Sequence, residues 1–304
     1  MAALRVLPRP RPLNSLLQFS ARTPRWHHHS SAAATNASTS DSTPKIQTSQ
    51  SESPVDPRWL SLIKRRIGKC LMFGLKPSQV LEAGRILQQI ARDWRELVAG
   101  SQGFLTHKTR RAVYRQNVAW GDMDSMLVKG HVNNVTYARY AETARVNLMR
   151  NYATYIDPEH RTEWTNLVGP RGIGLILQSI KVDYKFPMTW PDQVTVYHRL
   201  TQNPADSLKR SMFEQEALIL SEAKQRPAAR CLEQNVLYDY RQQRRCTEPP
   251  SFLAEQFQKT WELQEAAKRE WRQRITEIES AVRQLELDSW DRPDAVEDLG
   301  SARK

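Results

Sequence analysis

Val80, Ile86, Leu87, Ile90, Trp94 and Leu97 recur at helical spacing, with Pro77 near the start and Gly100 just past the end. Apolar residues three and four apart between such start and stop signals predict an amphipathic helix. Before it, the apolar segment Trp59–Phe73 carries Lys64, Arg65, Arg66 and Lys69. It reads as a basic amphipathic helix lying either on a membrane or on its own domain. Residues 110–241 read as strand, helix, then several strands. Ala112–Trp120 is β-like, and Asn133–Tyr152 is helical with Tyr137, Ala141, Ala144 and Leu148 along one face. Strands are expected at Ile173–Phe186, Gln193–Leu200, Ser211–Leu220 and Cys231–Tyr240, with Ile180, Val182 and Tyr184 alternating against polar neighbours. Pro187, Pro191 and Asp192 mark a turn. A long helix followed by consecutive antiparallel strands is an α+β pattern. Residues 251–288 read as a long charged helix. Its Trp271, Ile275, Ile278, Val282 and Leu285 fit either a short coiled-coil seam or packing on the domain.

The ends differ in composition. Residues 1–40 contain five Arg and no Asp or Glu, and lead into a Ser/Thr/Ala-rich stretch. This is the composition of a mitochondrial transit peptide, a positive segment drawn inward by the membrane potential. Pro8, Pro10 and Pro12 interrupt the apolar core that a secretory signal needs. His27, His28 and His29 lie in this leader without further ligands nearby. The expected organisation is a leader and linker over 1–56, a helical segment over 57–105, an α+β domain over 106–246, a charged helix over 250–290 and a tail over 291–304.

Net charge adds a constraint. The chain carries +12, of which residues 1–56 account for +3, so +9 remains on the rest. A basic balance favours nucleic acid, anionic lipid or a phosphate-bearing small molecule. Cys70, Cys231 and Cys246 are odd in number and widely spaced, so they outline neither a disulfide framework nor a metal site. No apolar run is long enough for a transmembrane helix.

The chemistry concentrates in Trp120-Gly121-Asp122-Met123-Asp124, a polar loop, then His131-Val132-Asn133-Asn134-Val135-Thr136-Tyr137 and Glu142-Thr143-Ala144-Arg145. A strand ends in two acids, and a His-Val-Asn-Asn string opens a helix. Asn at a helix start caps free amides, and such amides also polarise an oxyanion. A carboxylate, an imidazole and a helix N-terminus within one short stretch can activate water and hold a tetrahedral intermediate. Taken alone, an Asp-x-Asp pair is more often a solvated turn.

The whole string resembles the 4-hydroxybenzoyl-CoA thioesterase-like group of hotdog proteins, which also includes the plant acyl-ACP thioesterases. Gln178–Pro187 and Asp192–Val196 resemble the same group's hairpin. The resemblance covers about 112–241. It implies a hotdog fold, an antiparallel sheet wrapped around a long central helix, here with extra N- and C-terminal helices. It further implies a homodimer or homotetramer with the site at the interface, and hydrolysis of an acyl thioester of coenzyme A or acyl carrier protein. Asp124 matches the catalytic carboxylate, as nucleophile or as base for water. His131 and Asn134 match positions that shape the site, and Glu142 matches an acid that some branches use. Tyr137, Gly172 and Gly174 are expected to contact substrate. Neither metal nor cofactor is implied. Six residues, Ser125–Gly130, separate Asp124 from His131 where the group has three.

Gly172-Ile173-Gly174 lacks a following Lys-Ser/Thr, so no P-loop is present, and neither a serine nucleophile elbow nor zinc spacing is visible. Lys185, Arg199, Lys209 and Arg210 are candidates for coenzyme A phosphates or simply solvated surface. Two functional classes stand: an acyl thioester hydrolase of the mitochondrial matrix, and a non-catalytic hotdog protein acting there as a binding or assembly factor. Nucleic-acid binding by the second would weaken steeply with salt.

Overall fold

The structure is a computed structural model that describes residues 55–124 and 130–296. The leader up to residue 54, its three histidines and the last eight residues lie outside the described residues. So do Leu127, Val128 and Lys129 of the lengthened loop. Glu52–Lys304 form one compact unit, so the helical segments expected on either side of the α+β domain are part of the same body.

Two helices come first, α1 (Trp59–Met72) and α2 (Pro77–Ala99). α1 buries Trp59, Leu60, Ile63, Ile67 and Cys70 inside the chain, which decides its placement on its own domain. Two of its cations are tied down as well: Arg66 pairs with Glu279 and Glu286, and Lys69 sits 3.3 Å over the Trp290 ring. α2 starts at Pro77 and ends at Ala99 with Gly100 just past it, as expected, but Gly100 is not a left-handed stop. Gly100 keeps helical angles (φ −60, ψ −40), and the left-handed residue that ends the turn is Gly103, φ +88. Gly100 serves close approach instead: a Cβ there would lie 2.5 Å from Trp271 Cδ1.

The chain continues through β1 (Val113–Asn117), β2 (Met123–Asp124), β3 (His131–Val132) and α3 (Asn134–Asn151). After the short α4 (Arg161–Asn166) come β4 (Ile173–Tyr184), β5 (Gln193–Leu200), the single turn α5 (Pro204–Ser207), β6 (Met212–Ser221), β7 (Arg226–Asp239) and β8 (Arg244–Arg245). The main sheet has the order β1-β5-β6-β7-β4, with β8 added to β7. All its pairings are antiparallel. α6 (Ser251–Asp288) closes the chain.

Strand parity sorts the core into two sides. Val194, Val196, Ala217, Ile219, Ala229 and Cys231 pack with Tyr137, Tyr140, Ala141 and Ala144 of α3. Tyr197, Leu218 and Leu220 face the other way and pack with α1, α2 and the second half of α6. The first half of α6 enters a third cluster, where Leu253 and Phe257 meet Tyr152, Trp164 and Phe213. α6 therefore packs on its own domain rather than in a coiled-coil seam. The result is a hotdog fold: an antiparallel sheet around the long α3, with extra helices covering the outer face.

β4 ends the strand order, so one edge of this 12-residue strand has no partner among the described residues. An exposed edge carries unmade backbone hydrogen bonds and favours a further strand.

Candidate active site

β2 and β3 form a two-residue ladder in which Met123 opposes Val132 and Asp124 opposes His131. Directly opposed residues have Cα atoms about 5 Å apart. The six intervening residues thus leave Asp124 and His131 cross-strand neighbours. The structure describes Asp124 only through its backbone. Three backbone bonds fasten this hairpin: Val132 donates to Met188 (2.8 Å), Asn133 to Asp122 (2.8 Å), and Val118 to Asp192 (3.0 Å). Asp192 in turn takes Ser221 Oγ at 2.5 Å and the Gln193 and Ala223 amides at 2.7 and 3.0 Å.

α3 begins immediately after. Asn133 is its cap, and its carboxamide oxygen accepts the Val135 amide at 3.1 Å. One first-turn amide is thereby taken. Asn134 is exposed, and its carbonyl accepts the Tyr184 hydroxyl at 3.0 Å. His131 is half-buried, with Nδ1 3.2 Å from the Val132 carbonyl oxygen. Glu142 is exposed one helix face away and has no ion pair among the described residues. Both arginines near it are engaged elsewhere: Arg145 with Glu233 at 2.7 Å, and Arg139 with Asp122 at 3.8 Å.

Tyr137 is placed differently from expectation. It is 1% exposed, its hydroxyl accepts the Met188 amide at 3.1 Å, and its ring meets Tyr184 edge-on at 5.3 Å. It braces the turn that carries the hairpin and has no surface to offer a ligand. Gly172 and Gly174 also lie apart from the hairpin within the protomer. Tyr184 touches Asn134, and Gly174 is ten residues back along β4, about 30 Å in an extended strand. Gly172 takes a left-handed turn (φ +71), and a Cβ on Gly174 would lie 2.7 Å from the Tyr240 ring. Arg199 is bonded to Glu216 (2.9 Å) and stacked over Phe104, so it is structural.

Two features escaped the sequence reading. The buried Tyr140 hydroxyl has no hydrogen-bond partner among the described residues. Burial, with the charge of Asp122 adding to it, pushes its pKa up to about 12. Deeper under α3, a buried polar group brings together Arg145, Gln215 and Glu233, with His198 beside them and neither of its ring nitrogens hydrogen-bonded among the described residues. Glu233 is fully buried and accepts from Arg145 at 2.7 Å and from Gln215 at 2.8 Å, with His198 Nε2 3.7 Å away. Burial alone would raise this carboxyl, but His198, Arg145 and Gln215 together hold it down at about 2. Strand parity was the available signal. His198 follows Val194 and Val196, and Glu233 follows Ala229 and Cys231, on the side facing α3. Among the described residues, no group of His, Cys, Asp and Glu is arranged to hold a metal ion.

With this geometry in place, comparison with known proteins bears on the hairpin and the strands after it. Residues 118–257 match the family model of the thioesterase-like superfamily. The match spans the Asp124–His131 hairpin, α3 and all strands from β4 onward. No curated protein matches the chain. Among solved structures, it is similar to a thioesterase from Thermus thermophilus complexed with coenzyme A and Zn. That pair shares 22% identity over 50% of this chain and 96% of the other, with a TM-score of 0.37. It is also similar to a DHNA-CoA thioesterase from Staphylococcus aureus, at 16% identity over 53% of this chain and 94% of the other, TM-score 0.38. The helices α1 and α2 lie outside the stretch that the family model matches.

Proposed function

We propose that the chain is an acyl thioester hydrolase working as a homodimer in the mitochondrial matrix. The observation that carries this reading is the direct pairing of Asp124 with His131 at the start of α3, inside the stretch matching the thioesterase-like superfamily. In this reading the Asp124 carboxylate takes a proton from water as the water oxygen adds to the thioester carbonyl. The positive end of α3 stabilises the oxyanion, and the thiol departs with the proton. Glu142, exposed on α3 with no ion pair among the described residues, is the second acid open to a ligand.

The dimer reading rests on the free edge of β4. Two copies pairing antiparallel about a two-fold axis bring the Gly174 end of one strand to the Tyr184 end of the other. Gly172 and Gly174 of one protomer then complete the site begun by His131 and Asn134 of its partner. Ile176 and Tyr184, exposed at 38% and 46%, gain cover in the same step. The outer face of the sheet is already filled by α1, α2 and α6, which favours this dimer over a tetramer stacked face to face. Among the described residues, no helix is long and apolar enough to cross a membrane. The Arg-rich, acid-free leader supports the matrix location.

The test is thiol release by the full-length protein from short, long and aromatic acyl-CoA esters and from acyl carrier protein esters, beside Asp124→Asn. Release that the substitution abolishes is the expected result. A folded dimer inert toward the whole panel overturns the hydrolase reading. One observation favours the rival binding protein: Arg241, Arg244 and Arg245 are exposed at the β7–β8 turn with no carboxylate partner among the described residues. Nucleic-acid affinity that falls steeply with salt and is lost on their replacement is the result that supports it.

A further inference from the structure

A cavity of about 210 Å³ lies on the outer side of the sheet, where α1 and α2 meet the start of β7. Its walls mix two chemistries. Val55, Val98 and Trp59 supply apolar surface, while Arg58, Lys185 and Arg226 contribute cations. None of these three cations has a carboxylate partner among the described residues. By contrast, Arg230 in the same wall is spent on Glu216 (2.5 Å). Asp56 is the one acid in the lining, and its carboxylate accepts the Arg58 backbone amide at 2.7 Å. The Arg226 guanidinium lies 4.0 Å over the Phe186 ring, and its buried Nε has no hydrogen-bond partner. Stacking holds Arg226 in place, so an acceptor meets a preorganised donor at little further entropy cost.

We infer that this cavity is a binding site for a small amphiphilic anion. Its carboxylate or phosphate head meets Arg226 and Lys185, and its short apolar body lies against Val55, Val98 and the edge of Trp59. The volume equals on the order of seven waters, which suits a medium-chain acid rather than a nucleotide or a long acyl chain. The site is distinct from the Asp124–His131 hairpin because it opens on the opposite side of the sheet, among residues facing α1 and α2. It is formed only where the N-terminal helices dock. The inference rests on the cavity and its charges and is independent of the hydrolase reading.

Calorimetric titration of the full-length protein with sodium octanoate, octyl phosphate and octanol tests it. Octanoate or octyl phosphate is expected to bind at one site per chain with Kd at or below about 1 mM, and octanol at least about tenfold more weakly. Arg226→Gln with Lys185→Gln, both on partly or fully exposed side chains, weakens anion binding at least about tenfold with the melting temperature preserved. Val98→Phe, which fills the cavity and keeps every charge, abolishes binding as well. Asp124→Asn leaves this binding unchanged, which separates it from product bound at the hairpin. No anion binding at 10 mM (about ten times the expected Kd), equal affinity for octanol, or binding that survives both cavity variants overturns the assignment.

Discussion

Two polar groups sit along α3, and they are built in opposite ways. Under the middle of the helix, Arg145, Gln215 and Glu233 are buried and bonded to one another, with His198 beside them. At the start of the helix, His131 touches only a neighbouring backbone carbonyl, Glu142 is exposed without an ion pair, and the buried Tyr140 hydroxyl lacks a partner. Both groups combine a histidine with carboxylates, so residue type does not separate them. What separates them is the carboxylate: Glu233 already accepts from Arg145 and Gln215, although neither ring nitrogen of His198 beside it has a hydrogen-bond partner among the described residues. A buried carboxylate whose partners lie inside the protein has its electrostatics spent on the fold. One with open valences at the surface remains available to a ligand.

The sharpest way to break this comparison is to neutralise one acid in each group. Asp124→Asn is expected to lower hydrolysis by about a thousandfold, roughly 4 kcal/mol of transition-state stabilisation, while leaving thermal stability nearly unchanged. Steady-state thiol release and a melting curve on the same sample check both halves. Glu233→Gln is expected to behave the other way, costing about 3 to 4 kcal/mol in denaturant unfolding because Arg145 stays buried without its carboxylate. A Glu233→Gln protein as stable as the parent would remove the structural role.

Acid titration sharpens the same point. The folded Glu233 carboxyl is held at about 2, below the ordinary value of 4.5. Its stabilisation is therefore complete above about pH 4.5 and disappears as the pH falls toward 2. The stability gap between the parent and Glu233→Gln, on the order of 3 kcal/mol near neutrality, should close across that window. A gap that stays constant to pH 2 would place the shift elsewhere. Glu142→Gln is expected to reduce turnover about tenfold, near 1.4 kcal/mol, with unfolding unaffected. The smallest expected effect is at the cap. Asn133→Ala removes the acceptor of the Val135 amide and should cost about 1 kcal/mol of stability, read by chemical denaturation.

Periodicity located the helices and strands because one face of each is buried in a common core, and burial imprints its repeat on the order of residues. α1, α2, α3 and α6, and the start of β4, follow the expected segments closely. β7 begins at Arg226, earlier than the expected Cys231: Arg226 and Pro227 pair with Ser221 and Leu220 of β6, across a register shift that leaves Ala228 unpaired in that ladder. Gly100 read as a helix stop from its position alone, whereas the need for a glycine there comes from Trp271, which is 171 residues away.

The candidate site was legible in outline because its residues are close in sequence: Asp124, His131, Asn133 and Asn134 share one hairpin and helix start. What each of them touches was not. Tyr137 stands in the same string, yet packing turns it inward onto Met188. Gly172 and Gly174 are separated from the hairpin by the length of β4, so only pairing of two chains could unite them. The buried group at Glu233 draws on α3, β5, β6 and β7. The cavity at Arg226 draws on α1, α2 and the sheet. Local order along the chain sets which segments are helix or strand and which side of each is apolar, because those depend on residues a few positions apart. Which charges end up paired, buried or open was decided by tertiary packing alone, because each depends on partners that only the folded sheet and its helices bring together.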